Sequence, residues 1–269
     1  MKKPRFSSRT IPFLKKAGRQ KRQDWLDKNQ AEYDEVLREP LKSLARDLHA
    51  DLSTLASDYH FPLKGIGRLR RPAGRVNDYG GGIYKSWMAY SASRPKESRF
   101  ESHPNLFFMI NSEDGEGDEV LVAGGLYMAS SRQVRAIREA IAKDGSAFDD
   151  LFATKEFKKC FPDGFSDEYK STRPPRGFDP EHPRMDWLKL QSFFVWRSYK
   201  KKEFTSADFS SLVARDWKQV LRLNRLLEQA IQGRLPAGRK AVGKGKKKSA
   251  PKLLDHLEGI EHAQRPMDF

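Results

Sequence analysis

The sequence predicts an α+β fold in which a mainly antiparallel sheet packs against long amphipathic helices, with disordered basic ends. In several long segments, apolar residues recur every three or four positions, as they do on the buried face of a helix. Between these segments stand short apolar runs of strand length, bounded by glycines and acidic turns. Strands and helices do not alternate regularly, which favours α+β over a parallel βαβ sheet.

The first helix is predicted over residues 24–56, where the apolar residues are three or four positions apart. The members of this stripe are Trp25, Tyr33, Val36, Leu37, Leu41, Leu44, Leu48, Leu52 and Leu55. Pro40 interrupts the stripe, so the segment forms either two helices or one kinked helix.

The remaining elements are predicted from alternation, turns and caps. Residues 83–90 alternate as a strand, and residues 106–110 and 120–122 flank an acidic loop and predict an antiparallel hairpin. A last strand is predicted within residues 188–199. Ser130 and Gln133 have the spacing of a capping box at a helix start. The final helix is predicted from a cap at Thr205 or Ser206 to Gly233.

The positive charge is concentrated at the two ends of the chain. Residues 1–22 contain nine Lys and Arg and residues 233–252 contain eight, with no acid in either segment. These seventeen exceed the formal net charge of +15, so the body is close to neutral. The predicted parts are a basic N-terminal arm (1–12), a single α+β domain (13–232), a disordered basic linker (233–252) and a short amphipathic C-terminal segment (253–269).

Several classes of function find no support in the sequence. A single cysteine, Cys160, excludes an intramolecular disulfide and a multi-cysteine zinc site, and the histidines form no metal-binding motif. Residues 238–244 fit GxxxxGK, but Gly245 stands where a phosphate-binding loop has Ser or Thr. No apolar run reaches the length of a membrane span. We therefore expect a cytoplasmic protein without a metal, a cofactor or a membrane partner.

The candidate site is the arginine- and glycine-rich stretch of residues 65–90. Glycines let a backbone approach a ligand closely, and arginine forks suit phosphate or carboxylate groups. A proline-rich connection at residues 162–183 adds further cations. The predicted anion-binding residues are Arg68, Arg71, Arg75, Tyr84, Lys85, Arg173, Arg176 and His182. The competing interpretation is an exposed loop whose arginines pair with carboxylates.

From about Phe13 to Ile231 the chain resembles a family of conserved hypothetical proteins, domain of unknown function 2461. The pieces that carry the resemblance, in order, are Trp25, Tyr33 and Pro40, then Tyr84-Lys85, residues 105–108, Gly124 to Tyr127, Ile137-Arg138 with Ile141, residues 175–178, His182-Pro183 and Leu188-Lys189. The resemblance implies a compact α+β fold and no established activity or cofactor. Before Tyr84 the chain departs from the family pattern, and either Arg75 or the pair Arg68 and Arg71 fills the arginine positions.

Three classes of function remain open on the sequence. The preferred one is a module that binds nucleic acid or phosphate through the arginine–glycine loop and the basic arms. The second is an enzyme for a phosphorylated or carboxylated small substrate, in which Tyr84, Lys85 or His182 would handle protons. The third is a scaffolding protein. Its C-terminal apolar patch would pack either on the body or on a protein partner. That patch consists of Leu253, Leu254, Leu257 and Ile260.

Overall fold

The protein has the predicted α+β fold. A computed structural model describes residues 4–64, 66, 68–77, 82–95, 102–112 and 119–238, with the side chain of Arg75 outside this description. Four strands form an antiparallel sheet in which they lie in chain order. These strands are β1 (Trp87–Ser93), β2 (Asn105–Asn111), β3 (Glu119–Leu126) and β4 (Phe193–Ser198).

Helices make up most of the remaining regular structure. They are α1 (Thr10–Gly18), α2 (Trp25–Lys28), α3 (Gln30–Tyr33), α4 (Glu39–Leu52), α5 (Ser131–Asp144), α6 (Ser146–Ala153), α7 (Lys155–Cys160), α8 (Met185–Leu188), α9 (Lys201–Phe204) and α10 (Phe209–Ile231). Among the described residues, none of these helices combines the length and the apolar composition that crossing a membrane requires.

The predicted hairpin and the capping box are confirmed, whereas two element boundaries differ from prediction. Ser130 accepts a hydrogen bond from the Gln133 N–H, and the Gln133 side chain accepts one from the Ser130 N–H. Strand β1 begins only at Trp87, because residues 83–85 pair with a different segment. The final helix begins at Phe209, so neither Thr205 nor Ser206 caps it.

The predicted first helix is divided into α2, α3, a π-helical turn at Asp34–Arg38, and α4. Pro40 lies in the first turn of α4, where a missing N–H is tolerated. Its ring nitrogen has no hydrogen to donate to the carbonyl of Val36, four residues earlier. The buried hydroxyl of Thr10 donates to that carbonyl instead, at 2.8 Å. A hydrogen bond from α1 thus satisfies the backbone carbonyl that Pro40 leaves without its helical partner.

Replacing Thr10 tests this support. Thr10→Val keeps the shape of the side chain but removes the donor, so we expect a loss of about 1–3 kcal/mol in the free energy of unfolding. Thr10→Ser keeps the hydroxyl and should retain most of the stability. Urea unfolding of the three proteins gives the comparison, and equal losses for Val and Ser would show that the hydrogen bond contributes nothing.

The chain divides into two compact units. Unit 1 consists of Met1–Ala92, Phe107–Val122 and Ser198–Asp216, and unit 2 consists of Ser93–Leu106, Ala123–Arg197 and Trp217–Phe269. The core of unit 2 includes an aromatic cluster of Phe148, Phe152, Phe165 and Trp187, with ring centroids 4.9 to 6.5 Å apart.

Within the predicted N-terminal arm, Arg5, Phe6 and Arg9 have specific contacts within unit 1. Phe6 is only 1% exposed, and its ring stacks on Phe204 with centroids 4.6 Å apart. Arg5 forms an ion pair with Asp47. Arg9 contacts Glu32 and Glu35 at 3.0 and 2.9 Å. Two of the basic residues in this segment are therefore paired with carboxylates of the same unit.

The predicted basic linker is described only as far as Gly238. The N–H of Gly238 donates to the Ser146 hydroxyl at 2.7 Å, within unit 2. A Cβ at this position would lie 2.3 Å from the Ser146 carbonyl carbon, so only glycine fits without a shift. The rest of the linker, and the C-terminal segment with its patch of three leucines and Ile260, lie outside the described residues.

Candidate functional site

Two short segments of unit 1 pair with each other and thereby arrange the predicted site. Arg70 and Tyr84 form an isolated antiparallel bridge. The Arg71 N–H donates to the Ile83 carbonyl at 2.8 Å, and the Lys85 N–H donates to the Leu69 carbonyl at 3.0 Å. Because successive side chains of an extended segment point to opposite faces, Arg70 and Tyr84 share one face, and Arg71 and Lys85 share the other.

On the face that carries Tyr84, the side chains form hydrogen bonds to the backbone near α2. Tyr84 is buried; its hydroxyl donates to the Gln23 carbonyl at 2.7 Å and accepts from the Leu26 N–H at 3.2 Å. Arg70 also donates to the Gln23 carbonyl, at 2.5 Å. These bonds fasten the segment to the start of α2. The hydroxyl of Tyr84 is thus engaged in hydrogen bonds to the backbone.

The opposite face carries Arg71 and Lys85. The charge of Arg68 also acts on Lys85, and we call these three cations, Arg68, Arg71 and Lys85, the Lys85 cluster. Lys85 is half-buried, with its Nζ 4.8 Å from the centroid of the Trp87 ring. Burial, followed by the charges of Arg71 and Arg68, lowers the pKa of Lys85 to about 8. Arg71 is 8% exposed, whereas Arg68 is exposed. In the described part of the chain, the charges that shift the pKa of Lys85 are both arginines, and none is a carboxylate.

The two predicted arginines of the proline-rich connection lie in unit 2, where only one of them lines a cleft. This cleft has a volume of about 270 Å³, and we call it the Arg138 cleft. Its lining residues are Arg135, Arg138, Glu139, Pro175, Arg176, Gly177 and Phe178. Arg173 is exposed and is not among them.

Helix α5 forms one wall of the Arg138 cleft. Arg138 donates from Nη2 to the Leu190 carbonyl at 2.9 Å, and burial lowers its pKa. Its Nε is buried and has no hydrogen-bond partner among the described residues. Arg135 is paired with Glu139 at 2.8 Å. On the facing loop, Gly177 has a φ of +85°, a left-handed conformation that favours glycine.

His182 forms two hydrogen bonds within unit 2. Its Nδ1 accepts from the Arg184 N–H at 3.1 Å, so the hydrogen is on Nε2, which donates to the Ala142 carbonyl at 3.2 Å. Both ring nitrogens are therefore used within unit 2. This arrangement links the proline-rich connection to the last turn of α5.

The eight predicted residues thus fall into separate groups. Arg68, Arg71 and Lys85 come together in unit 1, whereas Arg173, Arg176 and His182 belong to unit 2. The side chain of Arg75 and the glycines at 80 and 81 lie outside the described residues. Within the described ranges, no group of three His, Cys, Asp or Glu side chains could hold a metal ion.

Arg138 is the residue that site prediction from sequence missed. It directly follows Ile137 and stands four residues after Val134, two members of the buried stripe of α5. A cation at the border of a buried stripe is partly removed from water, which is the signal that could have singled it out.

The family model described as conserved hypothetical protein, DUF2461, matches residues 9–225. The chain belongs to the DUF2461 family. This membership, together with the observed sheet and helices, confirms the resemblance and the fold that it implied. No curated protein and no solved structure matches this DUF2461 chain.

Proposed function

We propose that this DUF2461 protein binds phosphate-bearing anions at the Lys85 cluster. The observation that supports the proposal is a half-buried ammonium, Lys85, on which the charges of two nearby guanidinium groups, Arg71 and Arg68, both act. A guanidinium fork donates two parallel hydrogen bonds to a pair of phosphate oxygens, and an ammonium adds a point charge with three donors. The three side chains together therefore supply the donors that a phosphate group needs.

The electrostatics of the cluster favour a bound anion. The neighbouring arginines make the protonated form of Lys85 less favourable, because like charges repel. An anion between them would offset this repulsion and raise the pKa of Lys85 towards its ordinary value. A ligand that binds only the folded state then stabilises it by mass action, by about 2.7 kcal/mol at a hundredfold excess over its Kd.

The phosphate groups would be those of nucleic acid or of a smaller phosphorylated ligand. Basic arms would add attraction to nucleic acid that weakens steeply with salt. In the N-terminal segment, Arg5, Arg9 and Arg22 are paired with carboxylates, which reduces their part in this attraction. A steep loss of binding with salt would favour nucleic acid, whereas a shallow one would favour a small ligand.

Thermal unfolding in phosphate and in chloride at matched ionic strength tests the proposal. Phosphate should raise the Tm of the wild type more than chloride does, and Arg68→Gln should lose at least half of that difference. Phosphate also stabilises proteins generally by exclusion from their surfaces, so a matched variant is required. Lys64→Gln removes one exposed charge four residues earlier and should keep the full difference. Equal differences in both variants would contradict an anion site at Arg68.

A second candidate function, an enzyme acting on a phosphorylated or carboxylated small substrate, is favoured by one observation. The lowered pKa of Lys85, about 8, is close enough to neutrality for its amine to exchange a proton during a reaction. The arginines would then position the substrate anion. Turnover of a phosphorylated substrate that disappears in Lys85→Gln but persists in Lys64→Gln would favour this candidate over binding alone.

A further inference from the structure

The Arg138 cleft has the charge and shape of a binding site that is separate from the Lys85 cluster. It lies entirely in unit 2, and none of its lining residues belongs to the proposed site in unit 1. We infer that it binds a small phosphate monoester whose organic part is apolar or aromatic. This inference does not depend on the function proposed for Lys85.

The charge of the cleft matches a dianion. Three arginines and one glutamate line it, and the glutamate is paired with Arg135. Arg138 and Arg176 therefore remain as two positive charges without a carboxylate partner in the described part of the chain. A phosphate monoester carries close to two negative charges at neutral pH.

The donors are also suitably placed. Arg138 lines the cleft, and the bond from its Nη2 to the Leu190 carbonyl holds one end of the guanidinium group and uses one of its five N–H donors. The Nε makes no hydrogen bond to the described residues, but it is shielded from solvent, so a phosphate oxygen would reach it only after a small shift of the side chain. A guanidinium fixed in this way loses little side-chain entropy when it binds.

The size and the remaining walls of the cleft indicate the organic part of the ligand. A volume of about 270 Å³ is near the lower end for small-molecule sites. Pro175 and Phe178 present apolar surface beside the arginines, and the left-handed Gly177 forms the turn between Arg176 and Phe178. A ring or short apolar chain would therefore lie against this loop while the phosphate contacts the guanidinium groups.

Titration of the full-length protein with phenyl phosphate tests the inference. The readout is the backbone amide chemical shifts of Gly177 and Phe178, which report on this cleft and not on Lys85. We expect saturable shifts with phenyl phosphate and much weaker ones with inorganic phosphate or phenol. Arg176→Gln should weaken binding about tenfold, as expected for the loss of a charge-assisted hydrogen bond.

A matched control is available on the same loop. Arg173→Gln removes the same charge from another exposed position that does not line the cleft, so it should leave the affinity within about twofold, as for a weak surface charge. Arg68→Gln should also leave these shifts unchanged, which separates this site from the proposed one. The inference is overturned if Arg173→Gln and Arg176→Gln weaken binding equally. It is also overturned if the wild type shows no shifts at millimolar phenyl phosphate, or if inorganic phosphate binds as well as the ester.

Discussion

Phe6→Ala is expected to destabilise the protein by about 3–5 kcal/mol, the range found when a buried phenylalanine is truncated. Phe6 is 1% exposed and packs within unit 1 on three other rings. The centroid distances are 4.6 Å to Phe204, 5.8 Å to Phe209 and 6.5 Å to Phe108. Its removal would leave a cavity that several large neighbours cannot fill without moving.

Urea unfolding measures this loss, and Leu55→Ala is the control. Leu55 is 48% exposed, so its truncation should change the free energy of unfolding by less than about 0.5 kcal/mol. A similarly small effect for Phe6→Ala would mean that the N-terminal segment behaves as a detached basic arm. A large effect would show that the segment around Phe6 is part of the fold.

Local patterns were the part of the fold that could be predicted best from the sequence. The capping box at Ser130 and Gln133 and the hairpin of β2 and β3 depend on residues close together in the chain. The breaks in the first predicted helix could not be predicted in the same way. Pro40 predicts a break, because it cannot donate a hydrogen bond to the Val36 carbonyl. The sequence does not predict that Thr10, a residue of another helix, donates to this carbonyl instead.

The candidate site shows the same limit. Alternation along residues 83–90 predicts that Tyr84 and Lys85 lie on opposite faces. It does not predict that the Tyr84 hydroxyl donates a hydrogen bond to the Gln23 carbonyl. Nor does it predict that Arg71 and Arg68 lie close enough to shift the pKa of Lys85. Composition placed Arg176 among the predicted anion-binding residues, but it does not predict that Arg138, from a distant part of the chain, lines the same cleft.

Lys85→Met is expected to stabilise the protein at neutral pH by about 1–3 kcal/mol. The reason is that folding lowers the pKa of Lys85 from its ordinary value to about 8, which makes the charged lysine unfavourable in the folded state. In the folded state the protonated amine is disfavoured, first by burial and then by Arg71 and Arg68. The unfolded chain binds this proton more tightly, so the cost is fully present below the folded pKa. It is relieved as pH rises from about 8, the folded pKa, to the ordinary value near 10.5.

The advantage of the Met variant should therefore be largest at pH 7 and should disappear as the pH rises above 10.5, where Lys85 is mostly neutral in both states. Urea unfolding at several pH values measures this trend. Lys64→Met, at an exposed position, should change stability little at any of these pH values.

The Lys85→Met variant should also lose the stabilisation that phosphate gives. The repulsion between Lys85 and the two arginines costs stability, and a bound anion would offset that cost. A variant that is less stable than the wild type at pH 7 would show instead that the ammonium is favourably placed, and the case for an anion site at Lys85 would fail.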